Sequence, residues 1–268
     1  GYMMPQDFLF SCWFFYLFWK AELVMSALTG LDQVRGFPFA NQQGFGAYLL
    51  FAGYGLWLGR GHLAQVWSTI VGGPDRIDDA KEPLRYRVAA IGLLAAFGGL
   101  MWFAMAIGMR PLTAFAVFGI YYVLSLAITR VRAQFGTPVH DLHFTGPDVI
   151  LSSVFGTRAF PTKDLVGISY LAWFSSIFRS HPMPHQIETM KLADETHISQ
   201  RGVAAALMLA AVVGTLFGWG FMLDSGFRFG GRSGKGVEAF TRLQSWLTTP
   251  GETNWYAVGA LVFGGVFT

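Results

Sequence analysis

Two runs without a single charged residue, "VAAIGLLAAFGGLMWFAMAIGM" (88–109) and "GVAAALMLAAVVGTLFGWGFML" (202–223), constrain this chain more than any other feature. Each matches the roughly 20 residues that a helix needs to cross the hydrocarbon core of a bilayer. Backbone groups in lipid must satisfy one another, so such runs fold as helices. The composition agrees. Charged residues make up only 13% of the chain, about half the ~25% of a soluble domain, whose surface must be wetted. The reading is therefore all-α, a polytopic membrane helix bundle. Cys12, the single cysteine, leaves no disulfide framework. A net charge of +3 is ordinary for a membrane protein with basic loops and gives no reason to expect nucleic acid.

Apolar length predicts about six spans with one broken or re-entrant region. The first covers 7–30, with Asp7 placed to cap it and Gly30 to end it. The second, 44–59, is followed by "RGHLAQVWSTIV", which either extends it or forms an amphipathic helix at the interface. Spans 88–109 and 111–129 are separated by Arg110 and form a tight hairpin opened by Pro111. Residues 202–223 and a partial run at 255–268 complete the set. Region 147–178 is irregular: "PDVILSSVFGT" is too short to cross, "LVGISYLAWFSSIF" is marginal, and "RAFPTK" divides them. Two readings stand, a re-entrant or broken element that turns back, or one short tilted span over 165–178 preceded by a surface helix. The chain starts without an initiator methionine and ends inside an apolar run, so 1–268 is expected to be one transmembrane domain that is a fragment of a longer polypeptide.

Lysine and arginine counts orient the spans. Loop 60–87, with Arg60, Arg76, Lys81, Arg85 and Arg87, is placed in the cytoplasm together with 130–146. Residues 179–201 form an amphipathic interfacial helix, on that same side only if 147–178 turns back. Residues 224–254 form an extramembrane loop, containing "GFRFGGRSGKG" and the amphipathic "VEAFTRLQSWL". The glycine-rich stretch lacks the spacing of a phosphate loop. The small-residue pairs Gly55/Gly59 and Gly214/Gly218 offer places for helices to approach closely.

Lys20 and Glu22 lie inside the first apolar run, where ionisable side chains are costly and normally face a cavity or a partner. Two helical positions apart, they point in nearly opposite directions and do not pair. The bland alternative ends the span near Trp19, or has Lys20 snorkel to the interface. In 73–87, Asp78 and Asp79 sit among as many basic residues, which favours a self-paired loop over a cation site. Histidines come in two clusters, "HDLHFTGPD" (140–148) and "SHPMPHQIE" (180–188). Pro182 and Pro184 fit only the first turn of a helix, so Ser180 or His181 caps it. His181, His185 and Glu188 then share a face and, with His140 and His143, make a candidate site for a divalent metal such as zinc, iron or manganese, with Asp141 or Asp148 as orienting groups. A proton or polar-substrate role and a purely structural role at the membrane boundary are the other readings. The clusters can share an ion only if 147–178 turns back.

Several stretches, "DFLFSCWFFYLFWK" (7–20), "RGFPFANQQGFGAY" (35–48), "DDAKEPLRYR" (78–87), "HDLHFTGP" (140–147) and "FRSHPMPHQIETMKLAD" (178–194), resemble a family of uncharacterised bacterial multi-pass membrane proteins, over nearly the whole chain. That resemblance implies an inner (cytoplasmic) membrane location and a longer parent chain, and names no substrate. "GFPFANQQ" (36–43) is similar to the proline–phenylalanine–asparagine motif of oligopeptide transporters, but spaces the asparagine differently and has Gln42 and Gln43 where that motif carries charges. It implies a non-helical loop near a substrate path and adds Asn41, Gln42 and Gln43 to Lys20 and Glu22 as pathway candidates. The leading functional reading is a secondary transporter, or part of one, for a small polar solute. The alternatives are a metal-dependent membrane enzyme built on the histidine clusters and a non-catalytic scaffold subunit. Expected partners are the lipid bilayer and either further copies of the chain or a larger membrane complex.

Overall fold

Both charge-free runs lie within long helices in the computed structural model, which describes residues 5–267 except 35, 75–76, 81, 138–140, 143–145, 176–177, 180 and 231–233. In chain order the helices are α1 (Gln6–Thr29), α2 (Ala40–Leu58), α3 (Arg60–Val71), α4 (Tyr86–Ala106), α5 (Pro111–Phe135), α6 (Pro147–Val154), α7 (Thr162–Ser175), α8 (Pro182–Glu195), α9 (Gln200–Phe229), α10 (Gly234–Thr248) and α11 (Trp255–Phe267). No strand occurs among the described residues. Four helices, α1, α4, α5 and α9, are long and apolar enough to cross a membrane, and α11 is a shorter apolar helix. α9 buries none of its residues and presents Leu216, Phe217, Phe221 and Met222 outward. Water would penalise a surface of that kind. The chain reads as a membrane protein.

Helix ends follow local chemistry. Gly30 closes α1 in the left-handed conformation (φ 74°), which glycine adopts without steric cost. Pro5, not Asp7, occupies the N-cap position; Asp7 sits in the first turn, where its charge complements the helix dipole. α2 starts at Ala40, earlier than expected, and α3 is a separate amphipathic helix beyond the break at Gly59. Pro111 opens α5 at the first turn of the hairpin. α9 continues past Asp224 through an Asp224–Arg228 ion pair (2.7 Å), so the first residues of the expected 224–254 loop are helical. Much of the remainder is α10, whose Ala239 and Leu243 are buried.

α5 is the axis of the core. Its first half packs Ala114, Val117 and Phe118 against Leu151, Ile168 and Leu171. Further along, Leu124 and Ile128 meet Phe45, Leu142, Ile150 and Phe178. These contacts settle the course of 147–178. From Leu142, beside Ile128, the chain rises through α6 to a turn at 155–161, next to the α4–α5 loop, where Arg110 donates to the Ala159 carbonyl (3.4 Å). α7 then descends along α5 to Phe178, back beside Leu124 and Leu142. Asp141 and Arg179, on the two arms, form an ion pair at 3.0 Å. The segment turns back.

The turn is fastened at both sides. Gly156 has a positive φ (72°), and a Cβ there would lie 2.5 Å from the Glu252 carbonyl carbon, so only glycine fits. Around it the Gly251 N–H donates to the Thr157 hydroxyl (2.8 Å), the Arg158 N–H to the Gly251 carbonyl (3.1 Å), and Arg158 pairs with Glu252 (2.6 Å). Asp164, at the start of α7 and outside the four long spans, is fully buried. It accepts from the Arg110 N–H (2.8 Å), Arg110 Nε (2.7 Å) and the Thr113 hydroxyl (2.5 Å). Burial alone would push its carboxyl up; the Thr113 bond, then the Arg110 bonds and charge, outweigh this and hold it below 3.8. Asp148, buried in α6, pairs with Arg242 of α10, whose guanidinium lies 5.2 Å from the centre of the Trp246 ring. That pair clamps α10 over the hairpin.

Candidate functional site

Helical geometry separates Lys20 from Glu22, and the structure gives them different surroundings. Lys20 is exposed, with its ammonium 4.4 Å from the Trp19 ring centre and 5.4 Å from that of Tyr16. Glu22 is half-buried and turns inward, about 10 Å along α1 from Thr29 at 1.5 Å per residue. Its Oε1 accepts from Gln43 Nε2 at 2.8 Å. The same amide nitrogen donates to the Pro38 carbonyl at 2.9 Å. Gln43 therefore ties the carboxylate to the turn that precedes α2.

That turn covers Gly36–Phe39, with Phe39 in the left-handed region (φ 59°) at the N-cap position of α2. Residues 40–43 are already helical, so only the first half of the expected 36–43 loop is irregular. Asn41 is exposed, whereas Gln42 reaches the Ser153 hydroxyl of α6 at 3.4 Å. Gln42 thus joins the glutamine pair to the end of the ascending arm.

Two cavities flank Glu22. One, of about 270 Å³, is lined by Glu22, Phe37, Pro38, Phe39 and Gln43 with Tyr256, Gly259, Ala260 and Phe263 of α11. The other, of about 370 Å³, shares Glu22, Gln43 and Phe263 with the first and is also walled by Phe15, Phe18 and Trp19 of α1 and by Gly264 and Phe267. Among the described residues, Glu22 is the sole charged one in both linings. The turned-back segment does not line either cavity. It reaches them through Gln42 and through the start of α11, where the Asn254 N–H donates to the Ser153 carbonyl (3.1 Å).

α11, expected only as a partial span over 255–268, contributes a wall to both cavities. It comes this close because two glycines meet a facing backbone. A Cβ on Gly46 would lie 1.9 Å from the Leu261 carbonyl oxygen, and one on Gly264 would lie 2.0 Å from that of Gln43. The pairs singled out in the sequence behave differently. Gly55 makes room for the Arg130 guanidinium, Gly59 marks the α2–α3 break, and Gly214 and Gly218 face open space.

The histidine face is organised around α8. His181 is the N-cap, its Nδ1 accepting from the Met183 N–H at 3.3 Å, and its ring stacks on Tyr121 (5.7 Å between centres, 10° between planes). His185 is exposed, and Glu188 is bound by Arg132 of α5 through two bonds of 2.5 and 3.0 Å. The Asp141–Arg179 pair brings the two histidine segments to one region; His140 and His143 lie outside the described residues. Among the described residues no three His, Cys, Asp or Glu side chains are grouped as metal ligands. In the 73–87 loop Asp78 and Asp79 accept from the backbone N–H groups of Ala80 (2.9 Å) and Tyr86 (3.0 Å), so both serve the loop and the start of α4.

A family model described as a family of unknown function, DUF6785, matches residues 1–268. The chain belongs to the DUF6785 family. The match covers the whole chain, as expected for an uncharacterised family, and its description names no activity. No curated protein and no solved structure matches the chain.

Proposed function

We propose that this DUF6785 member is a secondary transporter, or the membrane-embedded part of one, for a small polar solute, and that it resides as a multi-pass protein in the inner membrane. The observation that carries the reading is the Glu22–Gln43 bond, whose two residues line both of two cavities with otherwise mostly aromatic and small apolar walls. An ionisable group held within apolar helices marks a substrate or ion path by default. The interrupted segment 147–178, linked to this pair through Gln42 and Ser153, supplies the irregular backbone that transporters use to move around a fixed site. Glu22 and Gln43 are the binding groups in this reading, and Gln42 couples them to the hairpin. Lys20 and Asn41 are exposed and stay outside the site. Lipid is the natural cover for the apolar faces of α1 and α9.

The test is uptake into proteoliposomes from a mixture of amino acids, dipeptides and small amines, read by mass spectrometry of the washed vesicle contents. The wild-type protein should accumulate at least one solute above empty liposomes, and Glu22→Gln should abolish that accumulation. Equal accumulation by the variant, or none by the wild type, contradicts the proposal.

A further inference from the structure

Resting on that reading, we infer that the cavities at Glu22 receive a monovalent organic ammonium group. The charge balance points there. Glu22 is a carboxylate, and among the described residues neither lining holds a basic side chain. Lys20, the nearest cation in sequence, is turned away onto Trp19. An anionic solute would meet an unopposed negative charge, and a neutral one would leave that charge without a counterpart at low dielectric.

The shape of the lining selects among cations. Phe37, Phe39, Tyr256 and Phe263 present rings around one cavity, and Phe15 and Phe18 around the other. Aromatic faces attract a cation within about 6 Å of the ring centre, and an alkylated ammonium offers them both charge and apolar surface. A hard metal ion takes six or more oxygen ligands; beyond the carboxylate, the Gln43 amide and the Pro38 carbonyl the walls are mainly carbon. Gln43 donates to Glu22 Oε1 and so fixes the direction of the carboxylate toward the space the ammonium occupies. The same chemistry is carried by a free alkylammonium solute and by the headgroup of phosphatidylethanolamine, and the experiment separates them.

The full chain is reconstituted in nanodiscs of phosphatidylglycerol, which carries no ammonium, and titrated with labelled tetramethylammonium by equilibrium dialysis. Saturable binding is expected, weakened by about 30-fold or more in Glu22→Gln, the scale of removing one partner of a desolvated charge pair. Phe263→Leu keeps the carboxylate and should weaken binding by about 2- to 30-fold, the scale of one cation–π contact. Absence of saturable binding, or equal binding by Glu22→Gln, overturns the inference; the uptake screen then judges the transport reading separately. Competition by tert-butanol as strong as by tetramethylammonium also overturns it, while leaving a small polar solute in place. Unchanged affinity after half the lipid is replaced by phosphatidylethanolamine identifies a free solute. Loss of affinity identifies the headgroup, which keeps the ammonium site and removes its transport role.

Discussion

At the scale of single residues, the buried Asp164 and the half-buried Glu22 divide the work. Asp164 is structural: three donors converge on it and join the α4–α5 loop to the start of α7. Asp164→Asn keeps the shape and removes the charge opposite Arg110. The expected cost is roughly 1.5–3 kcal/mol, the range for a hydrogen bond to a charged group, seen as a lower unfolding temperature in detergent at pH 7. The pH dependence has a definite sign. Because the folded state holds this carboxyl below 3.8, its contribution is complete above that value and is lost as the pH falls through the lower, folded-state value. The gap between wild type and Asp164→Asn should therefore close under acid conditions. A variant as stable as wild type at pH 7 would show that the pair contributes nothing. Glu22 is the contrasting case, since its partners are a neutral amide and two cavities. The opposite directions of Lys20 and Glu22 were legible from helical angles alone. The choice of Gln43 as Glu22's partner was not, because it depends on how α1 and α2 meet.

At the scale of elements, the long spans were readable because uncharged length leaves the backbone few alternatives. The start of α8 was readable too, since two prolines fit only a first turn and leave Ser180 or His181 as the cap; the structure has His181 in that place. Close helix approach was not. Small residues at four-residue spacing say that a helix can be approached, not which neighbour comes, and the contact falls at Gly46 and Gly264, not at Gly55/Gly59 or Gly214/Gly218. Gly46→Ala must push α11 away from α2, so a loss of roughly 1–3 kcal/mol is expected, as for an overpacked core. Gly218→Ala, with nothing within 4 Å of the added Cβ, should leave stability almost unchanged. Similar unfolding temperatures for the two variants would contradict the α2–α11 contact. Region 147–178 left two readings open because apolar length cannot tell a short crossing from an arm that turns. The ion pair between Asp141 and Arg179 is a contact between residues distant in sequence, and no local pattern announces it.

At the scale of the whole molecule, one end is held together by basic side chains. Arg201, at the start of α9, donates to the carbonyls of Ala80 (2.5 Å) and Glu82 (3.5 Å), Arg87 donates to that of Ile70 (2.8 Å), and Arg132 holds Glu188. The opposite end carries the α4–α5 loop, the turn at 155–161 and residues 251–254, fastened to one another. α1, α2 and α11 enclose the Glu22 cavities, and the hairpin is tied to that trio at Gln42–Ser153 and at Asn254. Transport requires that the space beside Glu22 be a wetted path for solute and not a crevice filled by lipid tails. Substituted-cysteine accessibility distinguishes the two most directly. In a Cys12→Ser background, a cysteine replacing Ala260, which lines the cavity, is exposed to a membrane-impermeant thiol reagent in native vesicles and compared with one replacing Leu216 on the outward face of α9. A wetted path gives clearly faster labelling of Ala260→Cys, slowed by tetramethylammonium. Labelling no faster than Leu216→Cys would contradict it.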